Sequence, residues 1–288
     1  MNEVIILDLE WNTAYSTRRG RFVNEIIEFG AVKLDENLEI VDSFQMFVKS
    51  KLSKKLRGKV KELTHITNED IRENGQDFSK VIAAFKRWAG KDAVIMTWSN
   101  SDLYVLLDNC RCFTRFETIP FLYKYMDLQK YVQDIVEFEE SKQIGLLTAS
   151  ELFNIDSSEI NLHRAVGDSE LCAEILKKCY DKELIEGYIQ KADIPEFYDR
   201  LCFKPYVITD INSPYIKTVN MRLNCEKCGN PLRRKNQWKY KNKHFTAILN
   251  CKTCNEDFEG RVQVKKLYDG VAIKKSVHPI IKENKETK

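Results

Sequence analysis

The feature that most constrains the fold of this chain is the stretch ILDLEWN at residues 6–12, where an apolar run ends on Asp8 and Glu10. A short apolar run of this kind is typical of a buried β-strand. Residues two apart in a strand point to the same face, so both carboxylates lie on one side of a sheet. Packing two such groups together costs free energy unless a positive charge lies between them. The stretch therefore predicts a divalent cation beside this strand.

The segments that follow predict an α/β domain with a mixed sheet. Residues 4–10, 25–35 and 38–49 have the pattern of strands, and the short connection between the last two predicts a hairpin. Strand-like and helix-like segments alternate after this point, as they do in α/β domains. We expect this domain to span residues 1–182.

Capping residues and periodicity locate the main helices and one further strand. Thr67 or Asn68 is the expected N-cap of one helix, and Gly90 is expected to stop the amphipathic helix that follows. Residues 92–98 are nearly all apolar, as a central strand would be. A long helix is expected within 163–180, with its cysteines facing the core.

Three more polar residues occur where an α/β fold places ligands. Asp102 follows the apolar strand at the start of a helix, and the carboxyl ends of strands form the usual ligand edge. The segment HRAVGD places His163 and Asp168 at the mouth of the long helix, with the small residues Ala165 and Gly167 between them. Taken singly, such an aspartate is more often a helix cap, and a lone histidine is more often structural. The order in which these three residues follow the two strand carboxylates is much less likely to arise by chance than any one of them alone.

This combination resembles the DEDDh 3′-to-5′ exonucleases, a family with the ribonuclease-H-like fold. The resemblance covers roughly residues 3–180 and includes the segments EIIEFGAVKLD, LTHIT and MDLQ. It fills every position that gives the family its name: Asp8, Glu10, Asp102, His163 and Asp168. The likeness is greatest to the exoribonuclease branch that trims the 3′ ends of small RNAs and histone mRNA, although TWSNSD around Asp102 departs from that branch.

The resemblance implies a metal-dependent hydrolase with two Mg²⁺ or Mn²⁺ ions. Asp8 would bridge both ions, Glu10 and Asp168 would complete the first site, and Asp102 would hold the second. Two such ions about 3.5–4 Å apart serve the attacking water, the phosphorus and the leaving oxygen, and oxygen ligands favour these cations over zinc. His163 would take the proton of the water, since histidine changes its charge near neutral pH. The product would be a nucleoside 5′-monophosphate.

The residues beside the strand carboxylates are candidates for the substrate pocket. Leu9, Trp11 and Asn12 are assigned to substrate binding, with Trp11 stacking on a base or sugar. Strand alternation also permits Leu9 to point into the core. Glu28, in an otherwise apolar strand, is either a sheet-edge residue or a support for the site.

The last part of the chain carries two C-x-x-C pairs, formed by Cys225, Cys228, Cys251 and Cys254. The pattern C-x2-C-x22-C-x2-C resembles a zinc ribbon, and four thiolates leave no open coordination position, so one zinc ion would be structural. An iron centre with the same ligands is the alternative. We expect a small β-rich domain over 221–288 that depends on the metal, preceded by a helical and extended linker over 183–220.

Charge is distributed unevenly along the chain. Residues 221–288 carry 17 lysines and arginines against 7 acidic residues, whereas residues 1–220 carry 29 against 36. This asymmetry suggests an anionic polymer as partner. Between the cysteine pairs, basic residues interleave with Trp238, Tyr240 and Phe245, which suits a nucleic-acid strand. The alternative is a hairpin whose aromatic face packs on the metal core.

The basic run KLSKKLRGKVK at 51–61 is either a solvated loop or a phosphate-contacting segment. No window reaches the roughly 20 apolar residues that cross a bilayer, so we expect a cytoplasmic protein without a membrane partner. The expected function is 3′-to-5′ hydrolysis of single-stranded nucleic-acid ends, with RNA preferred to DNA on family likeness. Two other classes stay open: a catalytically silent nucleic-acid-binding or scaffolding protein, and a zinc-ribbon transcription or translation factor.

Overall fold

The structure is a computed structural model that describes residues 3–139, 142–158 and 160–280. The chain divides into two compact units, unit 1 (Met1–Leu201) and unit 2 (Cys202–Lys288).

The segment expected to be a linker, 183–220, is shared between the two units. Phe197 is buried in unit 1, where its ring contacts Tyr125 at a centroid distance of 5.7 Å. Ile216 is buried in the apolar core of unit 2. The segment therefore contributes packed elements to each unit, with the division at Leu201 and Cys202.

Unit 1 is built on a mixed six-stranded sheet with the strand order β3-β2-β1-β4-β5-β6. β1 pairs antiparallel with β2 and parallel with β4, and β5 continues the parallel part. The strands are β1 (Val4–Ser16), β2 (Arg21–Leu34), β3 (Ile40–Phe47), β4 (Val94–Thr97), β5 (Lys124–Asp127) and β6 (Gln190–Lys191). The predicted mixed sheet is confirmed, and β4 is buried along its whole length, as predicted for a central strand.

Helices cover the sheet of unit 1, and a 3₁₀ turn lies at Glu186–Tyr188. They are α1 (Gly58–Thr64), α2 (Asn68–Asn74), α3 (Phe78–Ala89), α4 (Asn100–Phe113), α5 (Leu128–Ile135), α6 (Leu146–Leu152), α7 (Ala165–Cys179), α8 (Lys182–Ile185) and α9 (Pro195–Cys202). Within the described ranges, every helix is too short or too polar to cross a lipid bilayer.

The helix boundaries follow from local side-chain chemistry. Thr67 caps α2 in a capping box with Asp70, and Gly90 ends α3 with a φ of 73°, as predicted. α4 begins at Asn100, because the side chain of Ser99 accepts a hydrogen bond from the backbone N–H of Ser101. The cap at Ser99 places Asp102 in the first turn of α4.

The hairpin of β1 and β2 is longer than the sequence indicated. β1 continues to Ser16 and β2 begins at Arg21, so the pair extends well past Glu10. The register shifts between Glu10 and Trp11, which marks a β-bulge and re-aims the strand beyond the carboxylates.

Unit 2 is a β-rich unit whose sheet has the order β12-β11-β10-β8, with β7 pairing with β11 and β9 with β10. Its elements are β7 (Tyr206–Val207), α10 (Pro214–Lys217), β8 (Arg233–Arg234), β9 (Lys239–Lys241), β10 (His244–Cys251), β11 (Glu256–Leu267) and β12 (Gly270–Pro279). The end of the predicted basic tail, residues 281–288, lies outside the described residues.

Candidate active site

The two strand carboxylates lie as the sequence predicted, on one face of β1, and a third carboxylate joins them. Oxygen atoms of Asp8, Glu10 and Asp168 all lie within 4.8 Å of one another, and the three residues are partly buried. Asp168 comes from the first turn of α7, about 160 residues further along the chain. The fold therefore brings carboxylates that are far apart in the sequence into one compact cluster of oxygen donors.

Asp102 is held beside this cluster through the backbone of β1. Its Oδ1 accepts a hydrogen bond from the backbone N–H of Leu9 at 3.2 Å, and Leu9 lies between the two strand carboxylates. Asp102 occupies the first turn of α4 and is 5% exposed. The fourth acidic residue is thus tied to the same strand, although it lies outside the cluster of three.

Two glycines let α7 reach the site. A Cβ on Gly30 of β2 would lie 2.2 Å from the backbone of Ala165, so only glycine permits the helix start to rest on this strand. A Cβ on Gly167 would lie 2.1 Å from the carbonyl oxygen of Asn161, so this position also requires glycine. The prediction that small residues here allow close backbone packing is confirmed.

His163 lies immediately before α7 with its side chain exposed. Its φ is 60°, in the left-handed region, and its backbone N–H donates a hydrogen bond to Oδ1 of Asp168 at 3.3 Å. A non-glycine residue in this conformation is uncommon and recurs at functional sites. The turn therefore links the histidine directly to one member of the carboxylate cluster.

Glu28 is buried inside the sheet, where it pairs with Glu10 on one side and Phe47 on the other. Its carboxylate accepts two hydrogen bonds from the guanidinium of Arg164, at 3.1 and 2.6 Å, and one from the backbone N–H of Ala165 at 3.3 Å. Gln45 donates a further hydrogen bond at 2.7 Å. Of the two roles that the sequence left open, the sheet-edge position is wrong, and Glu28 supports the segment that carries His163.

The electrostatics of the cluster are unfavourable for four separate negative charges. Burial, with the neighbouring carboxylates, raises the pKa of Asp8 well above its ordinary value. Burial and the charge of Asp168 raise the pKa of Glu10 to about 8. Burial also raises the pKa of Asp102 to about 7 and that of Asp168 above its ordinary value. At neutral pH this site gains free energy from any positive charge placed among the carboxylates.

The donor set fits a hard divalent cation. Carboxylate oxygens are the ligands that Mg²⁺ and Mn²⁺ prefer, and a cation would offset the burial and the mutual repulsion that raise the pKa values of these groups. The nearest guanidinium, that of Arg164, is already paired with Glu28. The residues present therefore fit the metal ions that the resemblance implies.

The predicted substrate contacts differ in accessibility. Asn12 is fully buried, and its Oδ1 accepts a hydrogen bond from the backbone N–H of Arg57 at 3.0 Å. Leu9 is 2% exposed, in the position that strand alternation permits. Trp11 is partly exposed. Of these three side chains, Trp11 is thus the one that a ligand can reach. The assignment of all three to substrate binding stays a prediction.

The basic run at 51–61 is anchored to the β1–β2 hairpin at both ends. Buried Glu25 accepts hydrogen bonds from the backbone N–H groups of Lys51 and Leu52 and from the hydroxyl of Ser50. Arg57 is held by Asn12, and its guanidinium lies 5.9 Å from the ring centroid of Phe22. The run is therefore an ordered exposed segment, and its contact with phosphates stays a prediction.

The four cysteines of unit 2 form a second ligand cluster. Their Sγ atoms all lie within 4.8 Å of one another, with 3.9 Å between Cys225 and Cys254 and 3.5 Å between Cys228 and Cys251. A tetrahedral zinc with bonds of about 2.3 Å would separate sulfur atoms by about 3.8 Å. Gly229, which follows Cys228, has a φ of 72° in the first knuckle. The cluster fits one tetrahedral ion.

The aromatic residues between the cysteine pairs do not form one exposed row. Phe245 is 1% exposed and belongs to the core of unit 2, and the ring of Tyr240 contacts it at 5.5 Å. Trp238 packs against the same core. For Phe245 the structure therefore favours the alternative of packing on the core, because alternate residues of β10 face inward.

A mixed α/β sheet with carboxylates from its first strand and from a helix packed across it is the arrangement of the ribonuclease-H-like nucleases. The exonuclease family model, RNase_T, matches residues 5–176, and the chain belongs to this family. The predicted resemblance to the DEDDh exonucleases is thereby confirmed, and such exonucleases use divalent metal ions.

Known proteins similar to the chain include a curated exonuclease that is covered over nearly its whole length. The chain is 31% identical over 206 residues to the probable 3′-5′ exonuclease KapD of Bacillus subtilis (strain 168), covering 69% of this chain and 94% of that protein. It is 31% identical over 189 residues to the PolC-type DNA polymerase III of Clostridium perfringens (strain 13 / Type A), covering 63% of this chain but 11% of the polymerase.

A solved structure shares the fold. The nuclease domain of 3′hExo, a DEDDh family member bound to rAMP, superposes with a TM-score of 0.53 at 24% identity. The alignment covers 65% of this chain and 96% of that domain.

Proposed function

We propose that this protein is a 3′-to-5′ exonuclease that shortens single-stranded nucleic acid and releases nucleoside 5′-monophosphates, with RNA preferred to DNA. The observation that carries the proposal is the convergence of Asp8, Glu10 and Asp168 within 4.8 Å, with Asp102 tied to the same strand. The preference for RNA rests on the resemblance of the motifs alone. Family membership supports the reaction class and leaves the natural substrate open.

The carboxylates would hold two Mg²⁺ or Mn²⁺ ions. When bound, such ions activate a water molecule and neutralise charge on the phosphate and the leaving oxygen. Asp8 interacts electrostatically with Asp102, Asp168 and Glu10, so it would contribute to the binding of both ions. The other three carboxylates, from β1, α4 and α7, would supply the further oxygen ligands.

His163 is the proposed general base. Its ring is exposed at the edge of the carboxylate cluster, and the turn that carries it is fixed by Asp168. The imidazole takes a proton from the attacking water as the water oxygen bonds to phosphorus and the bond from phosphorus to the 3′ oxygen of the preceding nucleotide breaks. The leaving 3′ oxygen takes a proton from solvent and becomes the new 3′ hydroxyl of the strand, and the terminal nucleotide is released as a 5′-monophosphate.

Unit 2 is proposed to bind a structural zinc ion through its four cysteines and to contact the nucleic acid through its basic surface. The sulfur distances fit a tetrahedral ion without an open ligand position. Lys239, Lys241 and Lys243 remain exposed between the cysteine pairs, where they can meet phosphates.

The direct test is incubation of the purified protein with single-stranded RNA and DNA of one sequence, labelled at the 5′ end, with and without Mg²⁺ or Mn²⁺. We expect a metal-dependent ladder that shortens by single nucleotides, with RNA shortened faster. A circular RNA should remain intact, because it has no 3′ end.

Two variants separate catalysis from folding in this assay. Asp8→Asn should abolish nucleotide release, whereas Glu36→Gln, an exposed acid in the β2–β3 turn, should leave it unchanged. Retention of most activity by Asp8→Asn would refute the assigned role. A wild-type protein that binds both strands without shortening either would instead support the scaffolding alternative.

A further inference from the structure

Unit 2 contains an open cavity that the exonuclease reaction does not explain. Its volume is about 450 Å³, and its lining combines Trp238 with Arg222, Arg234 and buried leucines such as Leu223 and Leu249. Ligand sites occupy about 300–1,000 Å³ and combine apolar walls with a few polar groups. The cavity has the size and composition of a small binding site.

The two arginines at the cavity have no charge partner among the described residues. Two other cations of unit 2 do have partners: Lys227 pairs with Glu256 at 2.7 Å and Lys235 with Asp257 at 2.8 Å. Both arginines are exposed. Two unpaired guanidinium groups at one cavity favour an anionic ligand, and a guanidinium matches phosphate geometry.

Trp238 gives the cavity an aromatic wall. The indole packs against the apolar core of unit 2 and is partly exposed, so its ring is held in place while it remains accessible. Nucleobases stack on such rings regardless of base identity. An aromatic wall beside cations that bind phosphate fits a nucleotide better than it fits a simple anion.

The cavity is built on the first cysteine knuckle. The backbone N–H of Leu232 donates to the carbonyl of Leu223 at 2.9 Å, and Asn224 bridges to Pro231 on the way to Cys225. Arg234 lies opposite Leu249, whereas its neighbour Arg233 lies opposite Asn250. Neighbouring residues of a strand face opposite sides, so Arg234 faces the cavity and Arg233 faces away from it.

We propose that this cavity binds one unpaired nucleotide of single-stranded nucleic acid, with the base stacked on Trp238 and the adjoining phosphates held by Arg222 and Arg234. The inference deepens the proposed function, since it takes the strand as the ligand. Unit 2 would then recognise unpaired nucleotides in addition to attracting the strand by its positive charge.

The test measures binding in the full chain carrying Asp8→Asn, so that the strand is not consumed. The probe is a 12-nucleotide uridine strand labelled with fluorescein at its 5′ end, followed by fluorescence anisotropy. Arg234→Ala and Arg222→Ala should each weaken binding about 5-fold or more at low salt, and Arg233→Ala less than 2-fold, because phosphate contacts dominate affinity. The Arg233 and Arg234 variants lose the same charge from adjacent positions.

Trp238 provides an independent readout of stacking. The uridine strand should quench tryptophan emission, and Trp238→Phe should remove most of this quenching while it keeps most of the affinity, since phenylalanine still stacks. Trp238→Leu should weaken binding about 5-fold or more. Zinc content and thermal melting of each variant verify that unit 2 remains folded.

Several outcomes would overturn the proposal. Equal losses of affinity in the Arg233 and Arg234 variants would show that only general electrostatics is at work. No loss of affinity in either variant would exclude binding at the cavity. Equal affinity for a fully paired RNA would exclude an unpaired base. If the wild-type protein shortens no strand but the variants differ in affinity as expected, the exonuclease proposal fails and the nucleotide-binding cavity is supported. If the wild-type protein shortens strands but the variants bind equally, the exonuclease proposal is supported and the cavity proposal fails.

Discussion

The two ligand clusters of this molecule are built in opposite ways. The acidic site of unit 1 collects oxygen donors from β1, α4 and α7, elements that are far apart in the sequence but rigidly packed. The cysteine site of unit 2 collects sulfur donors from two short knuckles. The acidic site lies on a large core that exists without it, whereas the cysteine site lies within a small core that includes its own ligands.

The two donor sets indicate different roles for the ions that they would hold. Oxygen donors with raised pKa values give a site whose cation is exchangeable and whose loss costs activity. Four thiolates give a closed site whose ion contributes folding free energy. Removal of the bound ions should therefore abolish the activity of unit 1 without unfolding it, and should unfold unit 2.

The largest expected effect is on the fold of unit 2. Cys251→Ser should abolish stoichiometric zinc binding and unfold this unit, because zinc contributes about 10–16 kcal/mol in small zinc domains. Hydrogen exchange should show lost protection over β10 and β11 with unit 1 unchanged. Cys112→Ser, which alters a cysteine outside the cluster, is the control. Full protection in the Cys251 variant would show that unit 2 does not need its ion.

The next effect is on catalysis in unit 1. His163→Ala should lower the rate of nucleotide release about 10²–10⁴-fold, the usual contribution of a general base. The melting temperature should change little, since the side chain is exposed. Retention of most of the rate would assign proton transfer to another group.

A smaller effect is expected from substitution of Glu28, which holds the segment that carries His163. Glu28→Gln removes the charge that pairs with Arg164 and should destabilise unit 1 by about 3 kcal/mol, since a buried partner is lost. It should lower kcat more than it changes KM, because the HRAVGD turn loses its anchor. Gln45→Ala removes only one neutral donor to Glu28 and should have the weaker effect on kcat. Equal effects of the two variants would exclude the role of the ion pair.

The smallest effect is a change in melting temperature with pH. The pKa values of Glu10 and Asp102 are raised to about 8 and about 7, so their contribution to stability is present below about pH 4 and is lost as pH rises to 8. Mn²⁺ offsets this loss because it binds the ionised form. Mn²⁺ should therefore raise the melting temperature more at pH 8.5 than at pH 6, by about 2–4 °C for each kcal/mol. An equal rise at both pH values in calorimetry would contradict the cation assignment.

Local sequence patterns predicted the mixed sheet of unit 1 and its main helices. Alternation placed Asp8 and Glu10 on one face, and capping chemistry located the ends of α2 and α3. The prediction of Asp102, His163 and Asp168 rests on their places after a strand and at a helix start, and the family resemblance adds their roles. Their proximity in space follows from the order of the strands.

The features that the sequence left open depend on contacts between distant residues. The bond between Glu28 and Arg164 joins residues 136 positions apart, and no periodicity encodes it. The extension of β1 to Ser16 has weaker alternation and is stabilised by pairing with β2. The burial of Phe245 depends on which face of β10 meets the core, which the interleaved basic residues obscured.

Manganese binding measured by electron paramagnetic resonance tests most directly whether the carboxylates of unit 1 hold the catalytic cations. Zinc-loaded protein should bind two Mn²⁺ ions per chain, and Asp8→Asn should lose both while it retains its zinc. Unchanged Mn²⁺ binding in that variant would show that these carboxylates do not hold the cations.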